Sequence, residues 1–347
     1  MSRNAALVLI RADASPAKGT GHIMRCLALA EALRDQGAEV AFATAEITPS
    51  LAGRLADEGF AHHSLAGDDP AELLDLARRL GASGLVVDSY WLDADWRAAV
   101  RPGFRVVLAL DDLADRALSA DLVWNPAPGA AGLPYGTIAP GAELLAGEPY
   151  LLLRREIRLA AAGPCLALAE RVSILLTFGG SDPAGLTVPV VKRLAPLLSV
   201  GVRLDVVAGG SNPALECITA ACGRFADRVR LHVDSREMGA LMAAAGLAVT
   251  AGGGTVAELA ALGVPSLLAV VADNQVPAAD DARARGWAAV IEARGDRVAA
   301  ADAIVAKALA LWANLSARSE LARRIAAGGI DGQGAERVAK ALLKRLS

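Results

Sequence analysis

The sequence predicts a two-domain α/β protein in which each domain is a Rossmann-type, doubly wound parallel sheet. Three observations lead there. The chain has 347 residues, more than a single hydrophobic core usually serves. Short apolar runs alternate with helix-periodic segments in two successive series. Three glycine-rich turns each lie where an apolar run gives way to a helix, which is where doubly wound sheets bind their ligands.

In the first series the strand candidates are 7–10, 40–43, 85–87 and 106–110, all compact runs bounded by polar or glycine punctuation. Segments 23–35, 70–80 and 93–100 between them have helical periodicity. The second series begins near Arg171, with strand candidates 172–177, 203–207, 247–250 and 266–270. Segment 125–150 holds five prolines and five glycines without a clear period, so it reads as ordered loop. A hinge is expected around 155–170, separating an N-terminal domain (1–160) from a C-terminal one (170–330). The last residues, 331–347, read as a helix that packs back on the first domain.

Composition narrows the function. Hydrophobic residues make up 54% of the chain, much of it alanine, and no run approaches the ~18–20 apolar residues of a membrane span. No membrane insertion is expected. The short apolar run ended by Arg11 lacks a small-residue cleavage site, so it reads as a first strand and the expected location is cytoplasmic. A formal charge of −3 with both signs interspersed argues against a nucleic-acid partner. Cys26, Cys165, Cys217 and Cys222 have no zinc-like spacing and are expected to be reduced, buried apolar residues.

The first turn runs from Arg11 through Asp13, Gly19 and Gly21 to His22, which opens a helix. Glycine permits close backbone approach to a ligand, and a helix N-terminus disfavours an imidazolium, leaving His22 able to accept a proton. The alternative is that His22 only caps the helix. Cys26 lies one helical turn further on, but no second ligand pair accompanies it, so a metal pair is not favoured. The second turn, Gly179-Gly180-Ser181-Asp182-Pro183, reads either as a helix start with Ser181 or Asp182 as N-cap and Pro183 first, or as backbone laid against a diphosphate or sugar. The third is the most informative. Gly252, Gly253, Gly254 and Thr255 expose N–H groups at a helix start, a site for phosphate oxygens. Glu258 lies one turn in, placed for ribose hydroxyls, and Asn274 and Gln275 after the next strand suit sugar hydroxyls.

These runs resemble a known family. Arg-Ala-Asp-Ala-Ser at 11–15 and Gly-Thr-Gly-His-Ile-Met-Arg-Cys-Leu at 19–27 are similar to the opening signature of the UDP-2,4-diacetamido-2,4,6-trideoxy-β-L-altropyranose hydrolases of pseudaminic acid biosynthesis, a pathway serving flagellin and surface glycans. The run 251–275 is similar to the family's nucleotide segment, which MurG-like glycosyltransferases share. Val87-Asp88-Ser89-Tyr90, Asp111-Asp112-Leu113 and the segment 144–156 also fit, so the likeness covers about 1–290 in order. It departs at Gly254, where serine is expected, and at Asn125-Pro126, which replaces a more polar run.

The resemblance implies a GT-B architecture with a central cleft, UDP held mainly by the C-terminal domain, and neither metal nor other cofactor. It implies attack by water at the anomeric carbon with inversion, releasing UDP and a free sugar for a downstream nonulosonate synthase. His22 would be the base or water-orienting group. Tyr90 would line the water and sugar site, Glu258 would meet the ribose, and Asn274 and Gln275 the sugar or phosphates. Asp13, Gly19, Gly21 and Gly180 complete the substrate-binding set with Gly252, Gly253, Gly254 and Thr255. A water nucleophile needs a base, typically worth ~10²–10⁴-fold, and UDP leaves with charge stabilisation from helix N-termini. His62 and His63, on or beside a strand, and His232, ahead of a helix, read as structural or exposed. The competing readings are a glycosyltransferase with a UDP-amino-sugar donor and a non-catalytic nucleotide-sugar binding protein. A metal-dependent transferase would use a D-x-D such as Asp93-Ala94-Asp95, which reads better as a helix cap.

With diphosphate charge assigned to the N–H groups of Gly252–Thr255, activity on a UDP-sugar should survive EDTA. Complete loss, restored by Mg²⁺ or Mn²⁺, would instead point to Asp93 and Asp95.

Overall fold

The computed structural model describes residues 6–15 and 17–347. The chain divides into two compact units, Met1–Arg154 with Asp331–Ser347, and Arg155–Ile330.

The first unit runs β1 (Leu7–Ala12), α1 (Gly21–Asp35), β2 (Glu39–Thr44), α2 (Pro49–Asp57), β3 (Ala61–Ser64), α3 (Pro70–Leu80), β4 (Ala82–Asp88), α4 (Ala94–Val100), β5 (Val106–Leu110), β6 (Leu122–Asn125), α5 (Tyr135–Ile138) and β7 (Glu143–Ala146). Its strands form one parallel sheet in the order β3-β2-β1-β4-β5-β6-β7. The central strands are near-continuous apolar runs because helices cover both faces, and β5 (Val-Val-Leu-Ala-Leu) is buried along its whole length. The helix boundaries follow local chemistry. Asp69 caps α3, accepting from the Ala71 N–H, with Pro70 in its first turn, and Gly81 ends it in the left-handed conformation at φ 69°.

The second unit runs α6 (Arg155–Ala162), β8 (Ser173–Thr177), α7 (Thr187–Leu194), β9 (Arg203–Ala208), α8 (Leu215–Gly223), β10 (Val229–Val233), α9 (Met238–Ala244), β11 (Ala245–Ala251), α10 (Thr255–Ala261), β12 (Ser266–Val270), α11 (Val276–Arg285), β13 (Ala288–Glu292), α12 (Arg297–Ala313) and α13 (Leu315–Ala327). Its parallel sheet has the order β10-β9-β8-β11-β12-β13. The chain then returns to the first unit as α14 (Gly334–Leu346). Ala335, Val338, Ala339, Leu342 and Leu346 form its buried stripe at helical spacing, in one cluster with Ile23, Leu27 and Ala30 of α1.

Both sheets reverse their strand order once, between β1 and β4 in the first unit and between β8 and β11 in the second. A crevice forms at such a switch point because the loops on its two sides depart in opposite directions. The three glycine-rich turns follow β1, β8 and β11, so all three lie at switch points.

Three expectations are corrected. Segment 125–150 is not loop throughout, for it contains α5 and β7, and the edge strand β7 is four residues long with one residue fully buried. So short a run, flanked by prolines and glycines, has no readable period. The helix after β8 begins at Thr187, not at Pro183. Asp182 adopts φ 42°, and its carboxylate accepts from the Leu186 and Thr187 N–H groups at 3.1 and 2.8 Å, capping the helix across an intervening turn. Cys165 and Cys217 are exposed; only Cys26 and Cys222 are buried, and all four are free thiols. No described helix is long and apolar enough to cross a membrane by itself.

Leu342 is fully buried, so Leu342→Ala should destabilise the protein by about 2–5 kcal/mol through a cavity under α14. Val298→Ala, at a site 53% exposed, should stay within about 0.5 kcal/mol. Urea unfolding of both variants checks the contrast.

Candidate active site

The site in the first unit is assembled from the ends of β1, β4 and β5. Strand register places Ala12 beside Asp88, so the turn after β1 and the residues after β4 emerge together. Asp88 is the last residue of β4, and its side chain is fully buried. His22 Nδ1 lies 2.7 Å from one carboxylate oxygen. Arg25, one turn further along α1, donates to both oxygens at 2.6 Å. The buried Cys26 thiol also points at this carboxylate, at 3.6 Å. Burial by itself would raise the Asp88 carboxyl, but the charges of Arg25 and His22 and their hydrogen bonds hold it well below the usual carboxylate range. Burial and the Asp88 charge push the Cys26 thiol well up, which leaves it unreactive.

In a neutral imidazole, an ionised carboxylate against Nδ1 accepts the hydrogen bond of the Nδ1–H and so leaves the lone pair on Nε2. The same logic orients the imidazole in Ser-His-Asp triads. Arg25 also donates to Asp112 at 2.8 Å, and Asp112 accepts the hydroxyl of Tyr90. Burial, then the neighbouring Asp112 charge, push the Tyr90 phenol upward, so it is a neutral hydrogen-bond donor. The rings of Tyr90 and Trp91 both stand edge-on to His22, with centroids 4.6 and 6.0 Å away. His22, Asp88, Arg25, Asp112, Tyr90 and Trp91 thus form one connected cluster.

Asp13, expected to meet substrate, is engaged by several protein donors. Its buried carboxylate takes both terminal nitrogens of Arg11, at 2.5 and 3.1 Å, the Lys18 ammonium at 3.2 Å, and the N–H groups of Ala45 and Glu46 at 2.8 and 3.1 Å. Its geometry braces the turn that carries Gly19 and Gly21, the first in the left-handed region at φ 74°. Lys18 is held from the other side by Glu46 at 2.9 Å.

In the second unit, Gly252 is buried at the end of β11, while Gly253 and Gly254 are exposed and Thr255 opens α10. The first N–H groups of a helix have no acceptor within it. Gly252 is closely packed: an added Cβ would stand 3.1 Å from the Gln275 Cβ, so Gln275 would have to give by a few tenths of an ångström. Gln275 spends its carbonyl on the Val271 N–H at 3.0 Å, whereas Asn274 is exposed on the same short turn. Glu258 is half-buried in the first turn of α10. At the other side of this switch point, the Gly180 carbonyl accepts from Gly209 N–H and Asn212 Nδ2, each at 3.0 Å, tying the turn after β8 to the loop after β9.

Four members of the first-unit cluster escape a reading of the sequence: Arg25, Asp88, Trp91 and Asp112. Asp88 and Asp112 stand inside motifs that resemble the hydrolases, and their position at strand ends in a doubly wound sheet was the available signal. Among described residues no group of three or more His, Cys, Asp or Glu side chains is arranged to hold a metal. Asp93 caps α4, accepting from the Trp96 N–H at 2.8 Å. His62 bonds Thr44 Oγ1 at 2.8 Å, and His232, on β10, bonds Asp205 at 3.0 Å, so both are structural.

Two doubly wound sheets with glycine turns at their switch points define a GT-B-fold protein, and solved structures of similar fold agree. Acinetobacter baumannii MurG matches with TM-score 0.62 at 16% identity, over 98% of this chain and 99% of that one. S. aureus MnaA in complex with UDP matches with TM-score 0.66 at 13% identity, over 98% and 97%. Phytolacca americana UGT2, complexed with UDP-2fluoro-glucose and pterostilbene, matches with TM-score 0.66 at 14% identity, over 99% of each chain. By sequence, the chain is similar to the UDP-2,4-diacetamido-2,4,6-trideoxy-β-L-altropyranose hydrolase of Campylobacter jejuni, 25% identical over 239 residues, which are 68% of this chain and 81% of that protein. The likeness read from the motifs therefore stands. An uncharacterized protein of Methanocaldococcus jannaschii is 24% identical over 283 residues, 79% of this chain but only 57% of that protein. No family model matches.

The depressed Asp88 carboxyl carries a signed prediction. A group whose folded pKa lies below its unfolded value, ordinarily near 4, stabilises fully above that value and loses the contribution as pH falls below it. Asp88→Asn should cost about 3 kcal/mol at pH 7, the low end for breaking a buried pair, because Arg25 keeps Asp112. The difference from wild type should shrink as unfolding is measured at successively lower pH below about 4. A difference that stays constant down to pH 2.5 would mean that Asp88 is not ionised in the folded protein.

Proposed function

We propose that this protein hydrolyses a UDP-linked 2,4-diacetamido-2,4,6-trideoxyhexose to UDP and the free sugar, without metal, and with inversion. The observation that carries the reading is the His22–Asp88 pair. A histidine whose Nδ1 is held by a buried carboxylate presents Nε2 as a proton acceptor at a sheet switch point.

In this mechanism a water oxygen attacks the anomeric carbon while one of its protons passes to His22 Nε2. The bond from that carbon to the β-phosphate oxygen breaks, and its electron pair leaves on UDP. Tyr90, its proton donated to Asp112, accepts a hydrogen bond from the water or from a sugar hydroxyl on its phenol oxygen. Arg25 acts as a positioning residue. It keeps Asp88 ionised and so fixes the imidazole tautomer. The second unit holds UDP, with the N–H groups of Gly252, Gly254 and Thr255 on the diphosphate and Glu258 on the ribose, the Gly253 N–H being taken by the Ala251 carbonyl at 2.9 Å. Gly180 and Asn274 contribute on either side, and Gln275 supports Gly252. Similarity to the Campylobacter hydrolase supports this choice of substrate and reaction.

Incubation with the UDP-diacetamido sugar alone tests the reaction. Steady UDP release, with an inverted free sugar by NMR, is the expected result. No release without an added acceptor would favour a glycosyltransferase, and no turnover under any condition a binding protein. Within the hydrolase reading, His22→Asn should lower kcat by about 10²-fold or more while UDP affinity by calorimetry stays near wild type. Retention of more than about a tenth of wild-type kcat, outside the range for a lost base, would return His22 to a packing or capping role.

A further inference from the structure

One side chain in the first-unit cluster has no part in the chemistry above and no packing need to be where it is. Trp91 is 49% exposed, yet its loop is held from several directions. Ser89 Oγ accepts from the N–H groups of Trp91 and Leu92 at 3.1 and 3.2 Å. The buried Arg97 donates to the carbonyls of Ser89 and Leu92 at 3.0 and 3.2 Å, and Arg116 donates to the carbonyl of Tyr90 at 2.6 Å. Leu92 is buried in the core on that side of the sheet.

The indole itself is fixed as well. It stands edge-on to His22, lies 5.8 Å from the Tyr90 ring, and has the Lys18 ammonium 5.1 Å from its centre. That ammonium is neutralised by Asp13 and Glu46, so it steers the ring rather than recruiting an anion. A single exposed aromatic is ordinary on a protein surface. A rigid one, in edge-on contact with the histidine assigned above as the base, offers a half-open apolar surface to a sugar bound beside that histidine. Leu113, 42% exposed and just after Asp112, adds a second apolar group at the neighbouring strand end.

Resting on the hydrolase reading, we infer that Trp91 is a specificity-determining residue, its indole forming the platform for the methyl-bearing face of the sugar. The chemistry follows from desolvation. Acetamido and C6 methyl groups gain by covering an apolar ring, whereas a sugar hydroxyl pressed on the same ring loses water without a partner. The platform therefore selects N-acylated, deoxygenated hexoses over fully hydroxylated ones.

The test uses the full-length protein and its Trp91→Ala and Trp91→Phe variants. It compares kcat/KM on the UDP-diacetamido-trideoxyhexose and on UDP-glucose, with UDP affinity from calorimetry. Trp91→Ala should lower kcat/KM for the diacetamido substrate by about tenfold and shrink its preference over UDP-glucose, while UDP affinity moves less than about twofold. Trp91→Phe should recover most of the loss. Unchanged kcat/KM and unchanged preference in Trp91→Ala would overturn the inference and leave the hydrolase reading intact. If wild type releases no UDP, the hydrolase reading fails instead, and the ratio of UDP-sugar to UDP affinity decides for Trp91. A lower ratio in Trp91→Ala supports the platform, and an unchanged ratio overturns it.

Discussion

Asp88 is a fully buried carboxylate at the end of a central strand, and the first-unit site is organised around keeping it ionised. A buried charge is costly unless it is paired and hydrogen-bonded. Here Arg25 covers both oxygens, His22 takes one of them, and the Cys26 thiol faces the other. All three donors come from a single helix at positions 22, 25 and 26, so one face of α1 meets the whole demand of the carboxylate. Arg25 passes the constraint on through Asp112 to Tyr90. The orientation of the imidazole is thus a consequence of satisfying the carboxylate.

The turn that delivers His22 is stabilised separately. Asp13 gathers Arg11, Lys18 and two backbone N–H groups from the segment after β2. The Arg11 side chain is itself fully buried. Five protein donor atoms converge on the Asp13 carboxylate, so a residue inside the most specific motif of the chain holds the geometry of this turn. The second unit solves a different problem with fewer side chains. Its glycine turn brings backbone N–H groups to a helix start, and Gln275 packs closely against Gly252. Side-chain chemistry is concentrated in one unit and backbone N–H groups in the other, as expected if one supplies a base and the other holds an anion.

Much of the fold was legible. The strands that are long, apolar and buried on both faces, such as β5 and β12, stand out from their neighbours in sequence. Glycine turns that follow them mark the strand-to-helix corners. Short edge strands were harder to read: β7 is only four residues long between proline- and glycine-rich segments, and β3, although a strand was expected on or beside His62 and His63, has little apolar signal. Asp182 was read as an ordinary cap next to Pro183, but it caps a helix five residues away through a positive-φ turn. Exposure was misread for Cys165 and Cys217 because burial of a small thiol depends on what packs over it.

By itself the sequence determined the α/β class, the three turns, the placing of His22 at the start of a helix, and the likeness to a hydrolase family. Each of these is written in neighbouring residues, through apolar periodicity, glycine spacing and motif order. Only the tertiary structure decided that Asp88 orients His22, that Arg25 ties Asp88 to Asp112, and that Asp13 gathers Arg11, Lys18 and the backbone after β2. Those partnerships join residues up to 87 positions apart, and they exist because parallel pairing of β1, β4 and β5 carries distant strand ends to one edge of the sheet. Local sequence specifies which way a strand or helix runs. Which charges meet is decided by the order in which strands assemble, and by the requirement that a buried carboxylate find its donors.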